Sequence, residues 1–358
     1  MSRLKFISFL LLFIMSLTIL CSCGGVNGKD GIDGKDGTSL LTGNGEPSST
    51  VGIVGDSYID LETWDFYTKT TDGWVSKGNI KGSSEADHDG TEGLVFYPIN
   101  DTECAVGVGT ALLAKEIIIP SKYKNYTVTT IYGSYSDGGN IGFSRCPNLE
   151  RVVIPESVTT IKNYAFASCS NLKEVVIPNS IKEVGFSAFN YCSSLQFNEY
   201  DEGLYLGNES NPYLLFYKTK DKNILSCKIN DNTKIINSQA FDNCSYITNI
   251  EIPNSVETIE YAAFNGCSSL TSINLPKSLK LISLEAFRYC RSLESVIIPK
   301  SVEFVYNSVF EGCSNLSIYC EAESRPNTWN EKWNDSNITV YWAGQWEYDA
   351  NGNPVPLY

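Results

Sequence analysis

The chain has 358 residues, 42% hydrophobic and 19% charged, which is enough apolar material for a packed core and too much for a disordered polymer. Its 27 Lys and Arg stand against 41 Asp and Glu, a net charge of −14, so it offers no electrostatic footprint for nucleic acid or an anionic bilayer. With one histidine, His88, any Ser-His-Asp, Cys-His or zinc-histidine mechanism must use that residue or be absent.

Residues 1–22 read as an address. Arg3 and Lys5 form a short positive segment, and Phe6 to Leu20 an apolar run too short for a membrane span. The run ends Leu20-Cys21-Ser22-Cys23-Gly24, which resembles a bacterial lipobox with Cys23 as the lipidated residue; an ordinary cleaved signal is the alternative. Cleavage before Cys23 leaves 25 bases and 41 acids, an acidic exported chain held to a membrane only by its acyl chains. Residues 23–45 carry glycine every third position at Gly28, Gly31, Gly34 and Gly37. So few collagen-like triplets without proline cannot hold a triple helix, and the segment reads as a tether with a reach of roughly 25 Å.

Residues 46–82 alternate apolar and polar around Asp-Gly and Gly breaks, which predicts three short antiparallel strands in a small β module. The stretch resembles the spacer modules that accompany Gly-X-Y runs in bacterial surface proteins. Trp64 and Trp74 read first as its core, and second as a glycan-stacking pair. Residues 83–114 form a linker and N-terminal cap, with Asp87-His88-Asp89 matching no metal-site spacing.

A period then dominates. Cys146, Cys169 and Cys192 are 23 apart, and so are Cys244, Cys267, Cys290 and Cys313. The clearest copy is Leu149, Val152, Ile154, Pro155, Ser157, Val158, Ile161, Ala165, Phe166 and Cys169. Proline recurs at 155, 178, 253, 276 and 299, and phenylalanine at 166, 189, 241, 264, 287 and 310. Leu, Val and Ile at spacings of three and two turn one strand face inward. Proline ends that strand, Val and Ile begin a second inward segment, and Ala-Phe sits on a helical turn. One copy cannot bury its apolar face alone, but copies stacked at ~4.8 Å can. The expectation is a β-rich solenoid over residues 115–320, one elongated stack with one parallel strand per coil and short helical turns on the other side.

These residues resemble the BspA-like leucine-rich repeats of bacterial surface proteins. The resemblance implies adhesion to host matrix proteins, other bacterial surface proteins or glycans, and with the lipobox the expectation is a lipid-anchored protein of the bacterial outer membrane or cell surface. No residue in the repeats has partners resembling a catalytic constellation and there is no Cys-x-x-Cys unit, so neither catalysis nor a metal or cofactor is expected.

From Cys192 to Cys244 is 52 residues, so one coil carries 29 extra residues, 28 of them placed at 196–223. Gly203 to Leu206, a Gly-Asn-Glu-Ser-Asn-Pro turn and Tyr213 to Tyr217 predict a hairpin protruding from the solenoid, while Ile224, Cys227 and Ile229 restore the frame. The cysteine column reads as buried thiols donating to turn carbonyls, with disulfides as the alternative and Cys313–Cys320 the pair to inspect first.

Strand positions between inward residues form the candidate binding face: Arg151, Glu174, Asn249, Ser272 and Ser295 in one column, and Val153, Val176, Glu251, Asn274 and Ile297 in the other. Residues 321–358, with Trp329, Trp333, Trp342 and Trp346, read as a cap over the last coil. The alternative function is a carbohydrate-capturing outer-membrane lipoprotein that would present those tryptophans to solvent.

Overall fold

The computed structural model describes residues 40–63, 65–79, 90–133 and 142–357. The signal segment, Cys23, the tether up to residue 39, Trp64 and His88 lie outside the described residues.

The N-terminal sheet has four strands. Leu40–Gly43, expected in the tether, pairs parallel with Ser57–Asp60, which runs antiparallel to Asp65–Thr70, followed by Gly73–Asn79. Asp60 anchors the parallel edge: its carboxylate accepts from the backbone N–H groups of Gly45, Glu62 and Thr63 and from the Thr63 hydroxyl. A hairpin of Val95–Pro98 and Glu103–Gly107 joins this module to the repeats. Side chains alternate across a strand, so Val95, Tyr97 and Ala105 pack with Ile59 and Phe66 of the module, while Phe96, Cys104 and Val106 face the solenoid core. That hairpin caps the first coil, with Glu103–Gly107 parallel to Tyr126–Ile131.

The repeats stack in register at the predicted spacing. Strands Glu116–Ile118, Arg151–Val153 and Glu174–Val176 form one parallel ladder, with Val152 opposite Ile117 and Val175. The second inward segment is itself a strand in each coil. Thr160–Ile161 pairs with Glu183–Val184, and after the insertion Ile235–Ile236, Thr258–Ile259, Leu281–Ile282 and Phe304–Val305 continue the pattern. Each coil thus contributes a long and a short strand, because Val and Ile on both sides of the proline need a pleated surface to bury.

The third side holds turns where short helical turns were expected. Among the described residues the one helical element is a 3-10 turn at Ala111–Leu113. The reason lies in the backbone: Tyr164 and Ser168 sit at φ 58° and 63°, and the equivalent Gln239 and Asn243 at 59° and 60°. A left-handed residue every fourth position breaks a helix and aims alternate N–H groups along the solenoid axis. Tyr164, Phe166 and Ser168 donate to the carbonyls of Phe186, Ala188 and Asn190 of the following coil at 3.0, 2.8 and 2.7 Å. Gln239, Phe241 and Asn243 repeat the pattern onto Tyr261, Ala263 and Asn265. The turns are a third set of inter-coil hydrogen bonds.

Inside, phenylalanines stack face to face: Phe166 on Phe189 at 5.5 Å between centroids, and Phe216, Phe241, Phe264, Phe287 and Phe310 at 4.8 to 5.5 Å. Beside them the thiols of Cys169, Cys192, Cys267, Cys290 and Cys313 each donate to the Phe carbonyl 26 residues earlier, at 2.9 to 3.3 Å. All ten described cysteines, Cys313 and Cys320 included, are buried free thiols.

The insertion does not protrude. Asn198–Tyr200, Gly203–Leu206 and Leu215–Thr219 make an antiparallel meander, and the last of these pairs parallel with Ile235–Ile236. Its side chains alternate between two interiors. Leu206, Leu215 and Ile235 belong to one core with Phe166 and Phe189; Tyr205, Phe216 and Ile236 belong to another with Phe241, Phe264 and Phe287. The expected single continuous stack is therefore two stacks sharing a wall, and the insertion is that wall. The open end of the first stack is covered by Leu206, Leu214, Leu215 and Ile235 on the wall's outward side.

Past the wall the two stacks also touch directly. Thr258 Oγ1 donates to the Lys182 carbonyl at 3.3 Å, Val184 N–H donates to Glu260 Oε1 at 3.2 Å, and the Phe186 and Tyr261 rings meet edge to face at 5.0 Å.

At the far end Ser317–Cys320 pairs with Thr339–Tyr341, and Trp329 and Trp333 close the core, only 2% and 4% exposed. Trp329 Nε1 donates to the Val302 carbonyl and Trp346 Nε1 to that of Cys320. These indoles are packing elements with their N–H groups satisfied.

Candidate functional site

The long-strand ladder presents its intervening positions outward, and all ten candidate face residues are half-buried or exposed. The structure divides them. Arg151, Val153, Glu174 and Val176 form one contiguous surface on the first stack, joined by Glu116 and Ile118 of the lead-in coil. Asn249 and Glu251 lie beside Ser226 and Lys228 on the second stack. On its next rungs follow Ser272, Ser295 and Ile297 with Ser317 and Tyr319, and Asn274 just beyond strand Ser272–Ile273.

The first group is the most organised. Arg151 lies between two carboxylates on adjacent rungs, Nη1 to Glu116 Oε1 at 2.6 Å and Nε to Glu174 Oε2 at 2.9 Å. Glu116 and then Glu174 hold the guanidinium more basic than usual, and the three side chains remain 40 to 55% exposed. One position on in each strand, Ile118, Val153 and Val176 align in register as an apolar column, with Ile118 42% exposed. A charged column thus runs beside an apolar one.

The insertion walls this surface at its end. Gly207 accepts the Ile177 N–H at 3.0 Å, and Asn208 Nδ2 donates back to the Ile177 carbonyl at 2.8 Å. Asn208 Oδ1 meanwhile takes the N–H groups of Ser210 and Asn211 and the Ser210 hydroxyl, which fixes the turn. Between strand Glu174–Val176 and this turn lies a groove of about 700 Å³, lined among others by Arg151, Glu174, Val176, Asn198, Asn208 and Glu209. The periodic columns pointed to the strand residues. Glu116 and Ile118 precede Arg151 and Val153 by 35 positions, off the 23-residue period, so the columns do not include them, nor do they mark the groove, because nothing periodic marks where an insertion lands.

On the second stack Ile297 aligns with Tyr319 and Tyr341, but Tyr341 stacks on Tyr319 at 5.1 Å and Trp346 covers it edge-on at 5.6 Å. That column is partly closed by the cap. Among the described residues there is no group of three or more His, Cys, Asp or Glu that could hold a metal ion, and no helix long and apolar enough to cross a membrane.

The repeats match the family model described as BspA type leucine-rich repeat region in six copies, over residues 117–210 and 214–325. Among solved structures, a leucine-rich repeat protein from Bacteroides ovatus is 23% identical, with 73% of this chain and 68% of that chain covered and a TM-score of 0.29. A leucine-rich cell surface protein from Faecalibacterium prausnitzii is 18% identical, with 69% and 96% covered and a TM-score of 0.30. The pneumococcal vaccine antigen PcpA is 16% identical, with 80% and 98% covered and a TM-score of 0.30. A 46-residue stretch is 56% identical to Collagen-like protein 1 of Acanthamoeba polyphaga mimivirus, which covers 13% of this chain and 5% of that protein. With more than half of its residues matched by the repeat model and its 23-residue coils stacked in register, this chain belongs to the BspA-type leucine-rich repeat family.

Proposed function

We propose that this chain is a non-enzymatic binding module of the bacterial cell surface or outer membrane, held there by lipid on Cys23, that adheres to host matrix proteins or bacterial surface proteins through the outward face of its first stack. The observation that carries this reading is the apolar Ile118, Val153 and Val176 column beside the Glu116–Arg151–Glu174 network, ending at the rigid insertion turn. An apolar stripe with a satisfied arginine at its margin is the composition of a protein-binding patch, and a face already held rigid loses little entropy on docking. Asn249, Glu251, Ser272, Asn274, Ser295 and Ile297 extend the contact on the second stack when the partner is large.

The test is a binding array of matrix proteins, bacterial surface proteins and glycans probed with the mature protein. It is repeated with Val176→Glu and with Val153→Lys, which place charges on the apolar column without entering the core. A protein ligand lost by at least about tenfold in both variants, with unchanged circular dichroism, supports the proposal. Binding that survives both variants removes this face from it. Binding confined to glycans favours the carbohydrate-capture alternative, for which Trp74, half-buried beside Tyr58 with Lys69 over its ring, is one candidate aromatic face.

A further inference from the structure

The insertion leaves a defect on the turn side. In regular coils the alternate N–H groups of each turn are consumed by the next coil, as for Tyr164, Phe166 and Ser168. The corresponding donors of the last coil in the first stack are Ser187, Phe189 and Tyr191. Tyr191 N–H turns to Asn190 Oδ1 at 3.0 Å, but no acceptor meets Ser187 N–H or Phe189 N–H among the described residues. The chain that should supply one runs instead through Tyr217 to Lys222, where Thr219 N–H bonds the Ala240 carbonyl. A cavity of about 330 Å³ opens between the two turns.

A hydroxyl and three ammonium groups converge on it. Ser238 is 9% exposed, lines the cavity, and its Oγ is buried with no hydrogen-bond partner. Lys218, Lys220 and Lys222 also line it, with Asp242 the sole carboxylate among the lining residues, in a chain whose net charge is −14. Lys220 is tied to Glu199 at 2.9 Å and to the Asp201 carbonyl at 2.8 Å, and Lys222 to Asp242 at 3.4 Å, but Lys218 lies over the Tyr217 ring and has no carboxylate partner among the described residues. Orphaned backbone donors, a free hydroxyl and ammonium groups in one concavity favour a group that only accepts hydrogen bonds and carries negative charge.

We propose that this cavity binds a tetrahedral oxyanion, sulfate or phosphate, either free or as a monoester on a saccharide. The anion takes Ser187 N–H, Phe189 N–H and Ser238 O–H as donors, and Lys218 with Lys222 supplies the compensating charge. The site lies on the turn side, away from the strand face, and stands independently of the adhesive reading.

The experiment is a titration of the isotopically labelled protein followed by amide resonances at constant ionic strength, with chloride as control. Four ligands are used: inorganic sulfate, inorganic phosphate, a sulfated disaccharide and its desulfated form. The Ser187 and Phe189 amides are expected to shift saturably. Lys218→Ala combined with Lys222→Ala should weaken binding about tenfold, and Ser238→Ala by a smaller factor. Tighter binding of the sulfated disaccharide than of either free ion, with none for its desulfated form, identifies the ester as the source; equal affinities identify the free ion. Amides that stay unmoved by all four ligands up to about 50 mM, or a double lysine variant that binds as tightly as the parent, overturns the proposal.

Discussion

Replacing Glu260 with glutamine tests the contact between the two stacks. Glu260 is 5% exposed and accepts the Val184 N–H from the opposite stack. Burial, reinforced by the nearby Glu183, pushes its carboxyl up to about 8, against the lowering influence of the Val184 N–H, Lys162 and the Tyr261 N–H. The unfolded chain holds the same group near its ordinary 4.5. Below that pH the carboxyl is neutral in both states and costs nothing. As pH rises from about 4.5 to about 8 the unfolded ensemble releases a proton that the fold retains, so stability falls; above about 8 the loss is complete. At 1.36 kcal/mol per pH unit this gap sets an upper limit of about 5 kcal/mol. Glutamine keeps the shape and the acceptor for Val184 and never ionises. Urea unfolding of both proteins at pH 5, 6.5 and 8.5 should therefore show similar stabilities at the lowest pH, with the variant more stable by about 2–5 kcal/mol at the highest. The Val184 amide should exchange more slowly in the variant at pH 8.5. A difference between variant and parent that does not change with pH refutes the reasoning, because it would mean that Glu260 is not held in a dry contact.

Phe264→Ala removes a ring stacked between Phe241 and Phe287 and should cost about 3–5 kcal/mol in denaturant unfolding. Burial pushes the Cys104, Cys192 and Cys320 thiols up to about 12, so an aromatic disulfide reagent at pH 8 should leave these three unmodified in the native protein and modify them in denaturant. Arg151→Ala breaks two exposed ion pairs and should change stability by less than about 1 kcal/mol while weakening any ligand of the strand face. Trp333→Ala should loosen the C-terminal end first, detected as faster amide exchange in Ser317–Cys320 than in Arg151–Val153.

The ladders were legible because a residue type repeated every 23 positions has its own copy for a neighbour, and Phe166, Phe189 and Cys169 need no other information to be placed. What lay outside that logic had no copy. Tyr205 and Leu206 alternate as any hairpin would, and only the folded chain shows that each faces a different core. The short-strand ladder was visible as inward Val and Ile but not as strand, since two residues carry too little pattern to assign. The turn side resembled helix because Ala-Phe fits a helical face, while the left-handed Tyr164 and Ser168 carry no residue-type signal of the kind glycine gives. Of the candidate site, the columns came from the period, and the separation of the first-stack face from the rest came from the insertion.

The central claim is that the insertion turns one repeat array into two stacks in contact, and proton–proton Overhauser effects measure this most directly. The Phe186 and Tyr261 ring centroids lie 5.0 Å apart, and the Val184 N–H is 3.2 Å from Glu260 Oε1 by its nitrogen. In a straight solenoid with the insertion looped out, Ser238 would occupy the rung between Phe186 and Tyr261 and hold their backbones roughly 10 Å apart. Cross-peaks between the two rings, and between the Val184 amide and the Glu260 side-chain methylenes, should both be present in the folded, monomeric protein. Absence of both would contradict the account.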